Sequence, residues 1–250
     1  LNPLHVIYIN TGLDVKARSH ALVPTITCTS SNVLKTLLQA YAQVPDLNVY
    51  YGPDTYMGRN LEVLFQRLAD RPDEEIAALH PAHDRASVRS LLERFDYFKQ
   101  GNCVVHHMFG AEVVRQVRED YADCFHTAHL EVPGEMFELA AEAQREDRGV
   151  VGSTSNILQF IVRKLEEALT MEASAELRFV LGTEAGMVTA IVNAVRDRLR
   201  DAGRDDVGVE IVFPVASEAV AAAPESELGI IPGVAGGEGC STAGGCATCP

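Results

Sequence analysis

Three cysteines lie close together near the carboxyl end of the sequence, among glycines. Cys240, Cys246 and Cys249 fall within ten residues, and Pro250 follows the last of them. Glycines let a backbone fold closely around sulfur, and thiolates are ligands for zinc and for iron–sulfur clusters. Structural zinc takes four ligands, and a Cys-x-x-Cys pair can also be redox-active. The spacing therefore predicts a cluster-binding loop, with a zinc site and a redox pair as alternatives.

Polar side chains follow two apolar segments that the sequence predicts to be strands. Tyr8 and Asn10 end the first segment, and His129 and Glu131 end the second. A histidine beside a carboxylate can act as an acid–base pair, while tyrosine and asparagine can donate to substrate oxygens. For any one of these residues the alternative is a satisfied buried polar group. As a set, they predict a reactive site.

Hydroxyl side chains occur where two helices are predicted to begin, within residues 29–32 and 152–155. Helix N-termini carry partial positive charge and exposed N–H groups, and they bind phosphate or carboxylate. Ser30, Ser153 and Thr154 are therefore candidate substrate-binding residues. The alternative at each helix is ordinary N-capping.

The elements that must position these residues alternate between strand and helix, which indicates a parallel sheet covered by helices. Residues 71–94 are charged and predict a peripheral helical insert, and the sequence after Pro214 is rich in Ala and Gly, which predicts a loop-rich tail. The predicted strands are 5–10, 47–51, 125–130, 149–154, 177–182 and 207–213, and the predicted helices are 13–22, 32–42, 57–69, 135–145, 155–169 and 187–202.

The same order of features occurs twice, which indicates an internal repeat. Tyr8 matches His129, Ser30 matches Thr154 and Gly52 matches Gly182, at offsets of 121, 124 and 130 residues. We expect these pairs to occupy equivalent positions. We also expect the two polar residues in each pair spaced i and i+2 to share one face of a strand, at the carboxyl edge where α/β folds bind ligands.

Composition excludes several classes of protein. The formal net charge of −14 disfavours nucleic acid or an anionic membrane as partner. No window approaches the ~20 apolar residues that span a bilayer. Six cysteines in 250 residues do not make a disulfide scaffold, so thiols or metal ligands are expected. Because the sequence starts without Met and stops inside a cysteine cluster, we expect both ends to be internal to a longer polypeptide.

Taken together, these segments resemble the quinolinate synthase family, in its plant and algal branch. The similarity runs over nearly the whole sequence in family order. It is carried by Tyr8-Ile-Asn10, Thr27-Cys-Thr-Ser30, Tyr51-Gly-Pro-Asp54, Cys103-Val-Val-His106, His129-Leu-Glu131, Val151-Gly-Ser-Thr154, Gly182-Thr-Glu184-Ala-Gly-Met187 and the cysteine tail.

The resemblance implies a fold of three α/β/α domains with parallel sheets, related by a pseudo-threefold axis. Two of them are expected here, at residues 1–102 and 103–214, followed by a tail at residues 215–250. A [4Fe-4S] cluster is implied, with Cys103 and Cys249 as ligands and a third cysteine upstream of residue 1. Cys240 and Cys246 resemble extra tail cysteines that can form a redox pair, although their five-residue gap departs from the tighter bacterial spacing.

The implied reaction condenses iminoaspartate with dihydroxyacetone phosphate to quinolinate for NAD synthesis. The resemblance implies that His129 and Glu131 move protons. It also implies that Tyr8, Asn10 and His106 orient the carboxylates and the triose of the substrates. The resemblance implies aspartate oxidase as the upstream enzyme and a plastid location, or a cytoplasmic one outside the plant and algal branch. Two other classes stay open from the residues alone: a non-catalytic iron–sulfur or zinc sensor, and a zinc hydrolase that uses His106, His129 and Glu131.

Overall fold

The computed structural model describes residues 2–100, 109–183 and 185–214. They form two compact units, one within residues 2–100 and the other within residues 109–214. Each unit contains a four-stranded, fully parallel sheet with helices packed on it. The repeated α/β architecture predicted from the sequence is confirmed. The predicted domain boundary at residue 102 and the tail at residues 215–250 lie outside the described residues.

In the first unit the strand order is β2-β1-β3-β4. Apolar residues of the central strands, including Val6, Val49 and Tyr51, are fully or almost fully buried. The elements of this unit are β1 (Asn2–Tyr8), α1 (Leu13–Leu22), β2 (Thr25–Cys28), α2 (Val33–Gln43), β3 (Leu47–Gly52), α3 (Thr55–Leu68), α4 (Asp73–Leu79), α5 (Arg85–Leu92) and β4 (Phe95–Tyr97).

In the second unit the strand order is β6-β5-β7-β8, which repeats the topology of the first. Its elements are α6 (Ala111–Asp120), β5 (Phe125–His129), α7 (Gly134–Ala143), a 3₁₀ turn (Gln144–Glu146), β6 (Gly149–Gly152), α8 (Thr154–Thr170), β7 (Ala175–Gly182), α9 (Ala185–Ala202) and β8 (Val207–Val212).

The strand register of the two sheets confirms the internal repeat. Tyr8 pairs with Cys28 in the first unit, and His129 pairs with Gly152 in the second. Likewise, Ile7 pairs with Gly52, and Ala128 pairs with Gly182. These pairs reproduce the offsets of 121, 124 and 130 residues found in the sequence. Tyr8 and His129 therefore end equivalent central strands.

One face of the second sheet is covered by α8 and α9. Phe179 of β7 is fully buried there, stacked on Phe125 at 5.1 Å and in edge contact with Phe160. The apolar residues of α8 recur three or four positions apart, so they line one side of the helix. This core holds the strands whose carboxyl ends carry the candidate site. Within the described residues, no helix is both long and apolar enough to cross a bilayer.

The buried His126 of β5 predicts a pH-dependent stability. Burial, reinforced by Arg148, lowers the pKa of His126 below 6.5. Below pH ~6.5 the unfolded chain binds a proton that the folded chain excludes, so stability should fall between about pH 7 and 5. His126→Gln should reduce that slope by up to about 1.4 kcal/mol per pH unit. Urea denaturation across this pH range measures the free energy of unfolding. If that free energy falls equally steeply with pH in the variant and in the original protein, His126 is not the group responsible.

Candidate active site

Each central strand ends in a tight turn that carries the predicted polar pair. The Thr11 N–H donates to the Tyr8 carbonyl, and the Val132 N–H donates to the His129 carbonyl, at 3.0 and 3.2 Å. The expectation that each pair shares one face of a strand is therefore wrong. The strands end at Tyr8 and His129, and Asn10 and Glu131 lie in the turns that follow. The chain reverses here because the next helix must return across the sheet.

The turn at His129 orients its imidazole ring. The Glu131 N–H donates to His129 Nδ1 at 3.3 Å, within a region where both residues are buried. A backbone N–H can only donate, so Nδ1 accepts, and the neutral ring carries its proton on Nε2. His129 can therefore present an N–H donor, and Glu131 places a carboxyl group two residues away. This arrangement is suited to proton transfer.

The start of α8 is fixed by a reciprocal cap between Ser153 and Asn156. Ser153 Oγ donates to Asn156 Oδ1 at 2.7 Å and accepts from the Asn156 N–H at 3.3 Å. The Ser153 N–H also donates to Asn156 Oδ1, at 2.9 Å. The alternative stated from the sequence, ordinary N-capping, therefore describes Ser153. Thr154, one residue later, is the hydroxyl that this cap leaves available at the helix start.

The first unit repeats part of this arrangement. The Thr29 N–H donates to Asn32 Oδ1 at 2.8 Å, as Ser153 does to Asn156. The Thr29 carbonyl accepts from the Val33 N–H at 3.0 Å, which begins the helical turn that leads into α2. Ser30 follows Thr29 as Thr154 follows Ser153. Ser30 and Thr154 therefore occupy equivalent positions of the repeat, as predicted. Thr154 is the first residue of α8, whereas Ser30 lies in the turn three residues before α2, so the prediction that Ser30 stands at a helix start is wrong.

The cap predicts that removing the Ser153 hydroxyl lowers stability more than removing the neighbouring Thr154 hydroxyl. Ser153→Ala should lower the free energy of unfolding by about 1 kcal/mol, because the first turn of α8 loses its side-chain acceptor. Thr154→Ala should stay within about 0.5 kcal/mol, since no described hydrogen bond depends on its hydroxyl. Urea denaturation of the full-length protein measures both. Equal losses for the two variants would show that Ser153 is not the stabilising cap.

Each unit brings its polar turn and its helix start to the carboxyl edge of its own sheet. Tyr8, Asn10 and Ser30 come together in this way in the first unit, since Tyr8 pairs with Cys28 two residues before Ser30. His129, Glu131, Ser153 and Thr154 come together in the second, since His129 pairs with Gly152. Hydroxyl, amide, imidazole and carboxyl groups beside helix N-termini can bind an anionic substrate and move its protons.

Thr11 is a residue that the sequence analysis missed. It is only 5% exposed, and its Oγ1 is buried without a hydrogen bond to any described residue. It closes the turn that carries Asn10, where the second unit has the buried Val132. Its signal in the sequence is the polar run Asn10-Thr11-Gly12 directly after an apolar strand. Thr11 joins the polar groups at this edge.

Five residues of the predicted site lie outside the described residues: the predicted metal ligands Cys103 and Cys249, the candidate catalytic residue His106, and the predicted redox pair Cys240 and Cys246. Within residues 2–100, 109–183 and 185–214, no three His, Cys, Asp or Glu side chains come together to hold a metal ion.

The two cysteines in the described ranges, Cys28 and Cys124, are both buried. Cys28 ends β2, whereas Cys124 precedes β5 at the opposite edge of its sheet. Burial raises the pKa of the Cys124 thiol, which disfavours the thiolate that metals bind. Neither cysteine belongs to a metal-ligating group among the described residues, and neither was predicted to be a ligand.

A repeated parallel α/β fold, with polar turns and helix N-termini at the carboxyl edge of each sheet, places the protein among the α/β proteins whose ligand sites lie at that edge. The family model described as Quinolinate synthetase A protein matches residues 2–200. The chain belongs to this family.

Curated relatives agree with that assignment. The chain is 58% identical to a chloroplastic quinolinate synthase of Nicotiana tabacum and 54% identical to one of Arabidopsis thaliana, in each case over 99% of this chain and 36% of that protein. It is 28% identical to a quinolinate synthase of Rhodopirellula baltica, over 74% of this chain and 42% of that protein. The chain thus spans about a third of the length of the plant relatives it matches.

Proposed function

We propose that this chain is the part of a chloroplast quinolinate synthase that supplies two of its three α/β domains. The enzyme would condense iminoaspartate with dihydroxyacetone phosphate, releasing phosphate and two waters, to form quinolinate for NAD synthesis. The observation that carries this proposal is the polar turn and helix start repeated at the carboxyl edge of each sheet, within a chain of this family. Aspartate oxidase is the partner reaction proposed to supply iminoaspartate.

Both substrates are anionic, and the helix starts fit their charged groups. The first turns of α8 and of the segment that leads into α2 point N–H groups out of the helix, and Thr154 and Ser30 add hydroxyls there. The partial positive charge at these ends favours a phosphate or carboxylate by about 0.3–1 kcal/mol each at exposed sites. Ser153 contributes by holding the helix start in place through its bonds to Asn156.

His129 and Glu131 are proposed to move protons during enolisation, imine formation and dehydration. The hydrogen bond from the Glu131 N–H to Nδ1 leaves the His129 N–H on Nε2, where the neutral ring can donate a hydrogen bond to a carbonyl or leaving oxygen and stabilise the charge that develops there. The Glu131 carboxylate would take the proton removed from carbon. The carboxylates and the triose would be held in the orientation needed for attack by Tyr8, Asn10 and His106. Thr11, next to Asn10 in the chain, would contribute its hydroxyl.

A [4Fe-4S] cluster is proposed with Cys103 and Cys249 as ligands and a third cysteine outside this chain. When bound, the cluster would supply an iron that acts as a Lewis acid toward substrate oxygens. Cys240 and Cys246 are proposed as an accessory redox pair. The buried positions of Cys28 and Cys124 support their exclusion from the ligand set.

Cysteine substitution in the full-length enzyme tests this ligand set. Cys103→Ala and Cys249→Ala should each abolish the brown cluster absorbance, together with iron and sulfide content, and remove quinolinate formation. The matched controls Cys28→Ala and Cys124→Ala should keep both the cluster and the activity, at a modest cost in stability because both thiols are buried. A cluster retained without Cys103 or Cys249, or lost without Cys28, would refute the assignment.

A further inference from the structure

Helix α1 is not held to the first sheet by apolar packing. None of its residues is buried, and Leu13 and Leu22, at its two ends, are 81% and 88% exposed. Its counterpart in the second unit, α7, is also ten residues long, yet it packs on β5 and β6 and buries five residues. Because a helix of this length is marginal in water without tertiary contacts, α1 needs another kind of attachment.

The difference between the two helices begins in the strand beneath each of them. A Cβ added to Gly149 of β6 would lie 2.6 Å from the Ala140 carbonyl oxygen, so α7 approaches its sheet closely only because this residue is glycine. The equivalent of Gly149 is Thr25 of β2, since both residues pair with a histidine at the matching point of the central strand. The Thr25 side chain occupies the place that α7 uses, which keeps α1 from packing as closely.

Polar bonds hold α1 instead. Ser19 Oγ hydrogen-bonds to Thr25 Oγ1 at 2.8 Å and to His5 Nδ1. Side chains of a helix point toward its N-terminus, and Lys16 reaches back in this way to the turn after β1. There its ammonium donates to the Ile9 carbonyl at 2.5 Å. The helix is therefore tied to the sheet at Ser19 and to the turn at Lys16.

Lys16 and Ser19 replace two core residues of the second unit. Helices α1 and α7 begin and end at the same offset of 121 residues, so Lys16 corresponds to Phe137 and Ser19 to Ala140. Phe137 and Ala140 are both fully buried. The two helices fill equivalent places in the topology, one attached by apolar contacts and the other by polar bonds.

The Lys16 bond acts on the peptide group that leads into Asn10. The Ile9 carbonyl and the Asn10 nitrogen belong to one planar peptide group, so anchoring the carbonyl fixes the orientation of both. The turn is also closed by the bond from the Thr11 N–H to the Tyr8 carbonyl at 3.0 Å. A bond from an ammonium is stronger than one between neutral groups, so Lys16 adds a firm restraint at the residue that carries the candidate amide.

We propose that Lys16 is a positioning residue for the reaction, because its bond to the Ile9 carbonyl sets the direction in which Asn10 presents its amide to the substrates. It rests on the proposed function, in which Asn10 orients the carboxylates and the triose. Asn10 makes the contact with substrate, and Lys16 acts through it. A reacting group displaced by about 1 Å loses on the order of 10² in rate, so a loosened turn should be visible in turnover.

Substitution of Lys16 in the full-length enzyme tests the proposal. Lys16→Met removes the ammonium but keeps an unbranched stem, and it should lower kcat/KM by roughly 10–10²-fold. Lys16→Arg keeps a cationic donor and should recover most of that loss. The matched control is Ser19→Ala, which breaks the other attachment of α1. It should lower the midpoint of urea denaturation but leave kcat/KM within a factor of about two, because it does not touch the turn.

A double variant shows whether Lys16 acts through Asn10. In a protein that already carries Asn10→Ala, Lys16→Met should change kcat/KM by less than about twofold, because both changes remove the same contribution. Amide hydrogen exchange gives a second measurement that does not depend on activity. Exchange of the peptide that contains residues 9–12 should be faster in Lys16→Met and unchanged in Ser19→Ala.

Three results would overturn the role of Lys16 while Asn10→Ala is impaired. They are unchanged kcat/KM or unchanged exchange in Lys16→Met, an equal loss of kcat/KM in Ser19→Ala, and full additivity in the double variant. If Asn10→Ala keeps normal turnover, the proposed role of Asn10 is wrong instead. The exchange of residues 9–12 then still decides whether Lys16 holds the turn.

Discussion

Replacing Glu131 with glutamine in the full-length enzyme is expected to lower quinolinate formation by roughly 10²–10⁴-fold, the usual effect of losing a general base. Glu131 is buried in the turn after β5, and its N–H bonds to His129 Nδ1. The amide keeps the size of the side chain and leaves the backbone bond in place. Folding and cluster content should therefore be retained while proton transfer is lost.

Turnover and cluster absorbance are measured on the same sample, so that chemistry and assembly are separated. The matched control is Glu135→Gln, which changes an exposed carboxylate four residues away in the first turn of α7. It should leave turnover within a factor of about two, because surface charges contribute little. Near wild-type turnover of Glu131→Gln would show that Glu131 is structural, and a lost cluster would show that its role lies in assembly.

Long periodic elements could be predicted from the sequence alone. Helix α1 has the predicted bounds, Leu13–Leu22, and α8 and α9 differ from prediction by one or two residues at their ends. Strands β2 and β4 were missed because neither contains two successive aliphatic residues, such as the Val150-Val151 pair that marks the equally short β6. Helix α6 was also missed, although Val113, Val114 and Val117 follow a helical pattern.

The site could be predicted in composition but not in geometry. The matched pairs Tyr8/His129 and Ser30/Thr154 were found because the repeat preserves residue types at fixed offsets. The turns that close after Tyr8 and His129 depend on backbone bonds that no residue type reveals. The burial of Thr11 likewise follows from packing. The commitment of Ser153 to a cap follows from Asn156, whose i+3 spacing was visible in the sequence but not used.

Phe179→Ala is expected to cost about 3–5 kcal/mol of stability, as truncation of buried aromatics usually does. Phe179 is fully buried at the centre of the second unit, on β7 between β5 and β8. Its ring stacks on Phe125 and meets the edge of Phe160, so truncation removes two aromatic contacts and leaves a cavity. Domains are typically stable by only 5–15 kcal/mol, so this loss is a large fraction.

The consequence for function follows from the topology. β7 neighbours β5, whose carboxyl end carries His129 and the turn with Glu131. A loosened core should therefore lower the fraction of active enzyme at 37 °C, while the activity of the folded fraction stays near normal. Urea denaturation with far-UV circular dichroism measures the first effect, and turnover at low temperature measures the second.

The control for this prediction is Met171→Ala, at the exposed C-terminal end of α8, which should change stability by no more than about 0.5 kcal/mol. Phe160→Ala and the double variant complete a cycle. Because the two rings are in contact, their losses should be non-additive, by about 0.5–3 kcal/mol. Strict additivity, or equal losses for Phe179→Ala and Met171→Ala, would show that the aromatic cluster does not hold the second sheet together.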